Sequence, residues 1–67
     1  MTMQHFQVQG MSCAHCERAV TEAAHRVDPQ ASVTVDLATG AVAIDSALPA
    51  PGFVAAIAAE GYTVHPG

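Results

Sequence analysis

Met3-Gln4-His5-Phe6-Gln7-Val8-Gln9-Gly10-Met11-Ser12-Cys13-Ala14-His15-Cys16 is the stretch in which the periodicity of the chain changes, and that change decides the fold. Up to Gln9 the pattern alternates. Phe6 and Val8 fall on one face and His5, Gln7 and Gln9 on the other, the period of a half-buried strand. Gly10 to Ser12 break it. From about Cys13 to Arg26 the apolar positions take helical spacing, with Cys16, Ala19, Val20, Ala23 and Val27 in one stripe. Arg18, Glu22 and Arg26 form a second stripe of alternating charge, suited to a solvated face. Asp28-Pro29 ends the helix, because the residue before a proline is pushed out of the α region.

Working outward, Ala31 to Leu37 alternates again, with Val33, Val35 and Leu37 inward. Ala38-Thr39-Gly40 is a short turn, and Ala41 to Asp45 returns with Val42 and Ile44 inward, which makes a hairpin. Ser46 to Ala50 reads as a connector, and Pro51 suits the first turn of a second helix. Phe53, Val54, Ile57 and Ala58 supply its apolar stripe, Gly61 is the expected left-handed residue after it, and Tyr62 to His65 makes a last strand. The order is β-α-β-β-α-β. It predicts an α+β, ferredoxin-like sandwich with two helices on one face of a four-stranded antiparallel sheet, all of 1–67 forming one domain. The expected core is Phe6, Val8, Val20, Val33, Val35, Val42, Ile44, Phe53, Ile57 and Val64.

Composition excludes several function classes. The chain has 67 residues, of which 51% are hydrophobic but only 4% aromatic. A chain this short buries only about 60% of its unfolded surface. It has little room for an enclosed substrate cavity of roughly 300–1,000 Å³. Two basic against six acidic residues, with no lysine, give a net charge of −4. No basic patch for nucleic acid or an anionic membrane can be assembled from that. The apolar run Gly52 to Ala59 is too short to cross a bilayer, and Met1 to Gln9 has neither the basic nor the apolar region of a signal peptide. The expected compartment is therefore the cytoplasm. Nothing pairs a nucleophile with a general base across a pocket, so no enzyme is expected.

Chemistry concentrates in Gly10-Met11-Ser12-Cys13-Ala14-His15-Cys16, which holds the only two cysteines, three positions apart. Cys13 falls in the loop and Cys16 in the first helical turn, so the sulfurs can converge. The free N–H groups and the positive end of the helix dipole favour thiolate over thiol for a cysteine placed there. Soft thiolates favour Cu(I), whereas structural Zn²⁺ takes four Cys or His ligands and hard ions take oxygen. Met11 is placed to anchor the loop from below. His15 is either an exposed loop histidine or a third or bridging ligand. Tyr62 is either packing at the start of the last strand or a neighbour that limits solvent access to the ion. His5, His25 and His65 read as surface residues, and Met1 and Met3 as weak evidence for a thioether site.

GMSCAHC after a first strand, the β-α-β-β-α-β order and Glu60-Gly61-Tyr62 together resemble the heavy-metal-associated domain family, over essentially the whole chain. The likeness is strongest to its bacterial cytosolic copper chaperones, whose motif is usually written GMTCxxC. Ser12 replaces the commoner threonine. Zinc-handling members often carry an acidic residue at or near the motif, and Ser12 is neutral. The resemblance implies that Cys13 and Cys16 bind Cu(I) as the metal ligands, with Met11, Ser12 and Tyr62 surrounding them. It further implies transfer by thiolate ligand exchange to the metal-binding domain of a copper-transporting P-type ATPase.

Two alternatives stand beside that reading: a regulatory domain cut from such an ATPase, and a small thiol–disulfide exchange protein. The chain's start at Met1 and end at Gly67 favour a free chaperone over a cut-out domain. Thioredoxin-like motifs usually carry a neighbouring Trp and an intervening Pro, which are lacking here. A periplasmic mercury carrier shares the motif but should bring a signal peptide. The metal-free protein is expected as a monomer, with copper able to bridge two copies. The docking face should include Ala14, Arg18 and Tyr62, and Glu17 points to a partner that is neutral or somewhat basic there.

Overall fold

The computed structural model describes residues 2–67. Its elements run β1 (Thr2–Gln9), α1 (Ala14–Val27), β2 (Ser32–Asp36), β3 (Ala41–Ser46), α2 (Ala50–Ala58) and β4 (Thr63–Pro66). The strands form one sheet in the order β2-β3-β1-β4, and every pairing is antiparallel. This is the expected ferredoxin-like arrangement. The register follows from the alternation: Phe6 pairs with Val42, and Val33 with Ile44, so the apolar side chains share one face.

That face meets both helices. Phe6 and Val8 of β1 and Val42 and Ile44 of β3 close on Val20, Ala23 and Ala24 of α1 and on Phe53 and Ile57 of α2. Complete burial of a large side chain such as Phe53 contributes about 1.5–3 kcal/mol. Val33, Val35 and Val64 pack on the core while remaining half-buried, because β2 and β4 are the sheet edges. Met3 is exposed on β1, and Met1 lies outside the described residues.

Several details differ from the sequence reading. Ser46 is the last residue of β3, not the start of a connector, and it is fully buried. Its hydroxyl donates to Asp28 Oδ2 at 2.6 Å and accepts from the Leu48 amide at 3.0 Å. Asp28 in turn accepts from the Gln30 amide through Oδ1 at 3.0 Å. A polar residue is stable there because its hydrogen bonds are made inside the domain.

His25 is half-buried, not on the surface. Its Nε2 lies 3.0 Å from the Ala31 carbonyl, which it can bond only by donating. Leu37 lies in the turn after β2. Ala24 joins Ala23 in the core, and Ala56 takes the half-buried place expected of Ala58, which is exposed. Gly61 has the expected positive φ of +100°, two residues beyond the C-cap Ala59.

An open, apolar groove of about 540 Å³ runs between α2 and the β1–β4 side of the sheet, lined by residues such as Phe6, Val54, Val64 and Pro66. It lies along the sheet and does not include the cysteine loop.

Candidate metal centre

The loop between β1 and α1 brings the two thiols together. Gly10 turns the chain with φ +100°, a value that strains any residue with a Cβ. A Cβ there would also sit 3.4 Å from Tyr62 Cδ1, so the ring packs over the turn. Met11 is half-buried against the core, as expected of an anchor. Ser12 and Cys13 are exposed.

Cys13 is the N-cap of α1, with an extended backbone and no side-chain cap. Its carbonyl accepts from the amides of Cys16 at 3.0 Å and Glu17 at 3.2 Å. That turn places Cys16 on the side facing Cys13, with the two Sγ atoms 3.7 Å apart and both thiols free. Metal–thiolate bonds are roughly 2.3 Å long in zinc sites. Sulfurs at this spacing can therefore bond one ion without rebuilding the backbone.

The surroundings favour a charged sulfur at Cys16. Its thiol is lowered from 9.0 to about 6, first by the hydrogen bond from the Ser12 amide and then by that from the Tyr62 hydroxyl. Contacts with the Cys13 side chain and amide add to the effect, and partial burial opposes it. The same bond, seen from the phenol, pushes Tyr62 up to about 12, with burial and the nearby sulfurs assisting. Near neutrality Tyr62 is thus a hydrogen-bond donor held against an anion.

The Ser12 amide is the contribution that side-chain reasoning misses. Its only signal in the sequence is the general one that free N–H groups collect where a helix starts. Tyr62 joins the site from just before β4, the strand paired with β1 through Gln9 and Thr63. His15 is exposed on the first turn of α1. Among the described residues no group of three or more His, Cys, Asp or Glu side chains converges as a metal site. The arrangement is a two-sulfur site at the surface.

The heavy-metal-associated domain model matches residues 5–63. The chain belongs to that family. The domain is 36% identical to the copper chaperone CopZ of Staphylococcus aureus, over 96% of this chain and 98% of that protein. Among solved structures, the copper chaperone Atx1 from Synechocystis PCC6803, in its Cu2 form, superposes with a TM-score of 0.86 at 39% identity, covering 91% of this chain and 97% of that one. The apo-form N-terminal domain of ZntA superposes with a TM-score of 0.89 at 27% identity, covering 98% and 92%. No helix among the described residues is long and apolar enough to cross a membrane.

Proposed function

We propose that the domain is a Cu(I) carrier that holds the ion between Cys13 and Cys16 and delivers it to the metal-binding domain of a copper-transporting P-type ATPase. The observation that carries this reading is the 3.7 Å Sγ pair at the mouth of α1, beside which no third His, Cys, Asp or Glu gathers among the described residues. Two soft donors suit Cu(I) and leave a tetrahedral Zn²⁺ short of ligands. The family membership and the copper-chaperone names of the relatives support the same cargo.

Low coordination also gives transfer its route. An acceptor thiolate adds to the bound ion, and one of the two cysteines then leaves. The lowered Cys16 suits it to staying a thiolate through that exchange. The protein breaks no bond in a substrate molecule and acts as a carrier, not an enzyme.

The test is competition with a cuprous chelator under anaerobic conditions. The wild type should take up one Cu(I) per chain, while Cys13→Ser and Cys16→Ser should each bind at least about a hundredfold more weakly, or some 2.7 kcal/mol. Equal affinity in either variant removes that residue as a ligand. A chain that reduces a disulfide substrate catalytically but takes up no Cu(I) is a thiol–disulfide exchanger instead. His15→Ala should leave stoichiometry and affinity unchanged if the histidine is only a solvated neighbour, and lower them if it is a ligand.

A further inference from the structure

The two edges of the sheet are finished differently. The β4 edge is blunted by Pro66, which has no N–H to offer. The β2 edge, Ser32-Val33-Thr34-Val35-Asp36, has no proline and no basic residue, and its register against β3 runs one residue to one without a bulge. The alternation of the ladder says which of its backbone groups stay open. The Val8 amide bonds the Gly40 carbonyl, so even-numbered residues of β1 and β3 bond each other. Ser32, Thr34 and Asp36, opposite Asp45, Ala43 and Ala41, then bond β3, and Val33 and Val35 turn their backbone groups outward. The next outward position, Ala31, is already closed. Its amide bonds the Asp28 carbonyl, and its own carbonyl accepts from His25 Nε2 at 3.0 Å. The N–H and C=O groups of Val33 and Val35 have no partner among the described residues.

These open groups are complementary to themselves. We infer that β2 pairs antiparallel with β2 of a second copy about a two-fold axis at Thr34, joining the two four-stranded sheets into one. In that register Val33 of one copy meets Val35 of the other and exchanges both backbone bonds with it. The axis repeats the exchange, so every open group is used. The side chains agree with the backbone. Thr34 faces Thr34, a favourable cross-strand pair. Ser32 faces Asp36, whose Oδ1 already holds the Ala38 amide and whose other oxygen is free to accept the serine hydroxyl. No two charges stand opposite each other, although each copy carries a net charge of −4. On the helix side of the sheet, Val33 and Val35 are half-buried at the edge, and each covers its partner's.

The pairing is short. It ends where His25 occupies the Ala31 carbonyl, and its five residues a side fall well below the roughly 20–30 of a stable interface. The metal-free chain is therefore a monomer when dilute and pairs only when concentrated. The cysteine loop lies beside β1 and β4, with β3 between it and this edge, so the thiols of both copies stay open.

The test follows the reduced, metal-free protein at about 10 µM and about 1 mM, concentrations that bracket weak association. Concentrating it should slow amide exchange at Val33 and Val35 by about twofold once the total concentration reaches Kd, since half the chains are then paired. Exchange at Thr34, already bonded to β3, should not change. In a mixture of isotope-labelled and unlabelled chains, the Thr34 Hα of one copy should show a nuclear Overhauser contact to the Thr34 Hα of the other. Thr34→Lys and Thr34→Glu each set like charges across the axis and should weaken pairing, read by sedimentation, by about threefold. An equimolar mixture of the two variants should pair at least as well as the wild type. Unchanged exchange at Val33 and Val35 at about 1 mM, slowing confined to other amides, or a mixture that pairs no better than its parts overturns the inference. A dimer that forms only when Cu(I) is added overturns it as well, because the thiols then make the bridge. None of the supporting measurements uses copper, so their failure leaves the carrier reading standing.

Discussion

The two ends of α1 treat their polar groups in opposite ways. The helix has 14 residues, so its ends lie roughly 20 Å apart. At its start, Cys13 caps nothing with its side chain and is exposed, and the half-buried Cys16 is held toward thiolate first by the Ser12 backbone and then by the Tyr62 hydroxyl. At its end the Asp28 amide bonds the Ala24 carbonyl, and the Asp28 carboxylate is gripped by Ser46 and Gln30. There Gln4 Nε2 also donates to the Leu48 carbonyl at 2.7 Å, although Gln4 Oε1 stays buried without a donor. One end closes its hydrogen bonds within the chain and holds the fold. The other leaves donors and anions available for something that arrives. A domain this small can keep an exposed reactive pair because its rigidity is supplied elsewhere.

The sharpest way to break that comparison is to exchange the expected phenotypes. Replacing both Cys13 and Cys16 by serine should abolish Cu(I) uptake without lowering stability in urea, the serine at position 13 adding up to about 1 kcal/mol as a helix cap. Ser46→Ala should do the reverse, costing about 1–3 kcal/mol because it strips a buried partner from Asp28 and from the Leu48 amide, while Cu(I) affinity stays at the wild-type value. If the serine pair unfolds the chain, or Ser46→Ala weakens copper binding, the division of labour fails.

Acid should separate the ends next. The Ser46 hydroxyl, the Gln30 amide and then the charge of His25 hold the Asp28 carboxyl below its usual 3.8. A carboxyl depressed in the folded state adds stability that is complete above 3.8 and is lost as pH falls through its lower, folded value. Thermal midpoints followed below pH 4 should therefore fall less steeply in Ser46→Ala than in the wild type.

At the sulfur end the titration lies much higher. Thiolate absorbance of the metal-free protein should show one step at about 6. Tyr62→Phe should move that step upward, because the second-largest cause of the shift is gone. An unmoved step would show that the Ser12 amide suffices.

The smallest effect should come from Arg26→Ala. Its pair with Glu60 spans 3.2 Å, but the two side chains are 59% and 33% exposed. Loss of about 0–1 kcal/mol, shrinking in salt, is expected at such a site.

Most of the architecture was legible because its signals are local. The change of period at Gly10, the proline after Asp28 and the alternation through Val33, Val35, Val42 and Ile44 each mark an element without reference to the rest of the chain. Ser46 and His25 were not legible, since what makes them internal are partners 18 and 6 residues away. The cysteine pair could be placed from its spacing and the helix start, and so could the half-burial of Met11. The donors to Cys16 divide: the Tyr62 hydroxyl is a side chain that could be suspected, but the Ser12 amide belongs to the backbone, which every sequence contains and no residue letter announces.

The vacant cap at position 13 has an evolutionary corollary. Aspartate or serine there would be expected to stiffen α1 by about 1 kcal/mol. A library screened only for heat resistance should therefore drift toward those residues, discarding a sulfur in the process. Melting temperature alone is a misleading guide to improving such a protein, and durability and cargo need to be screened together from the first round.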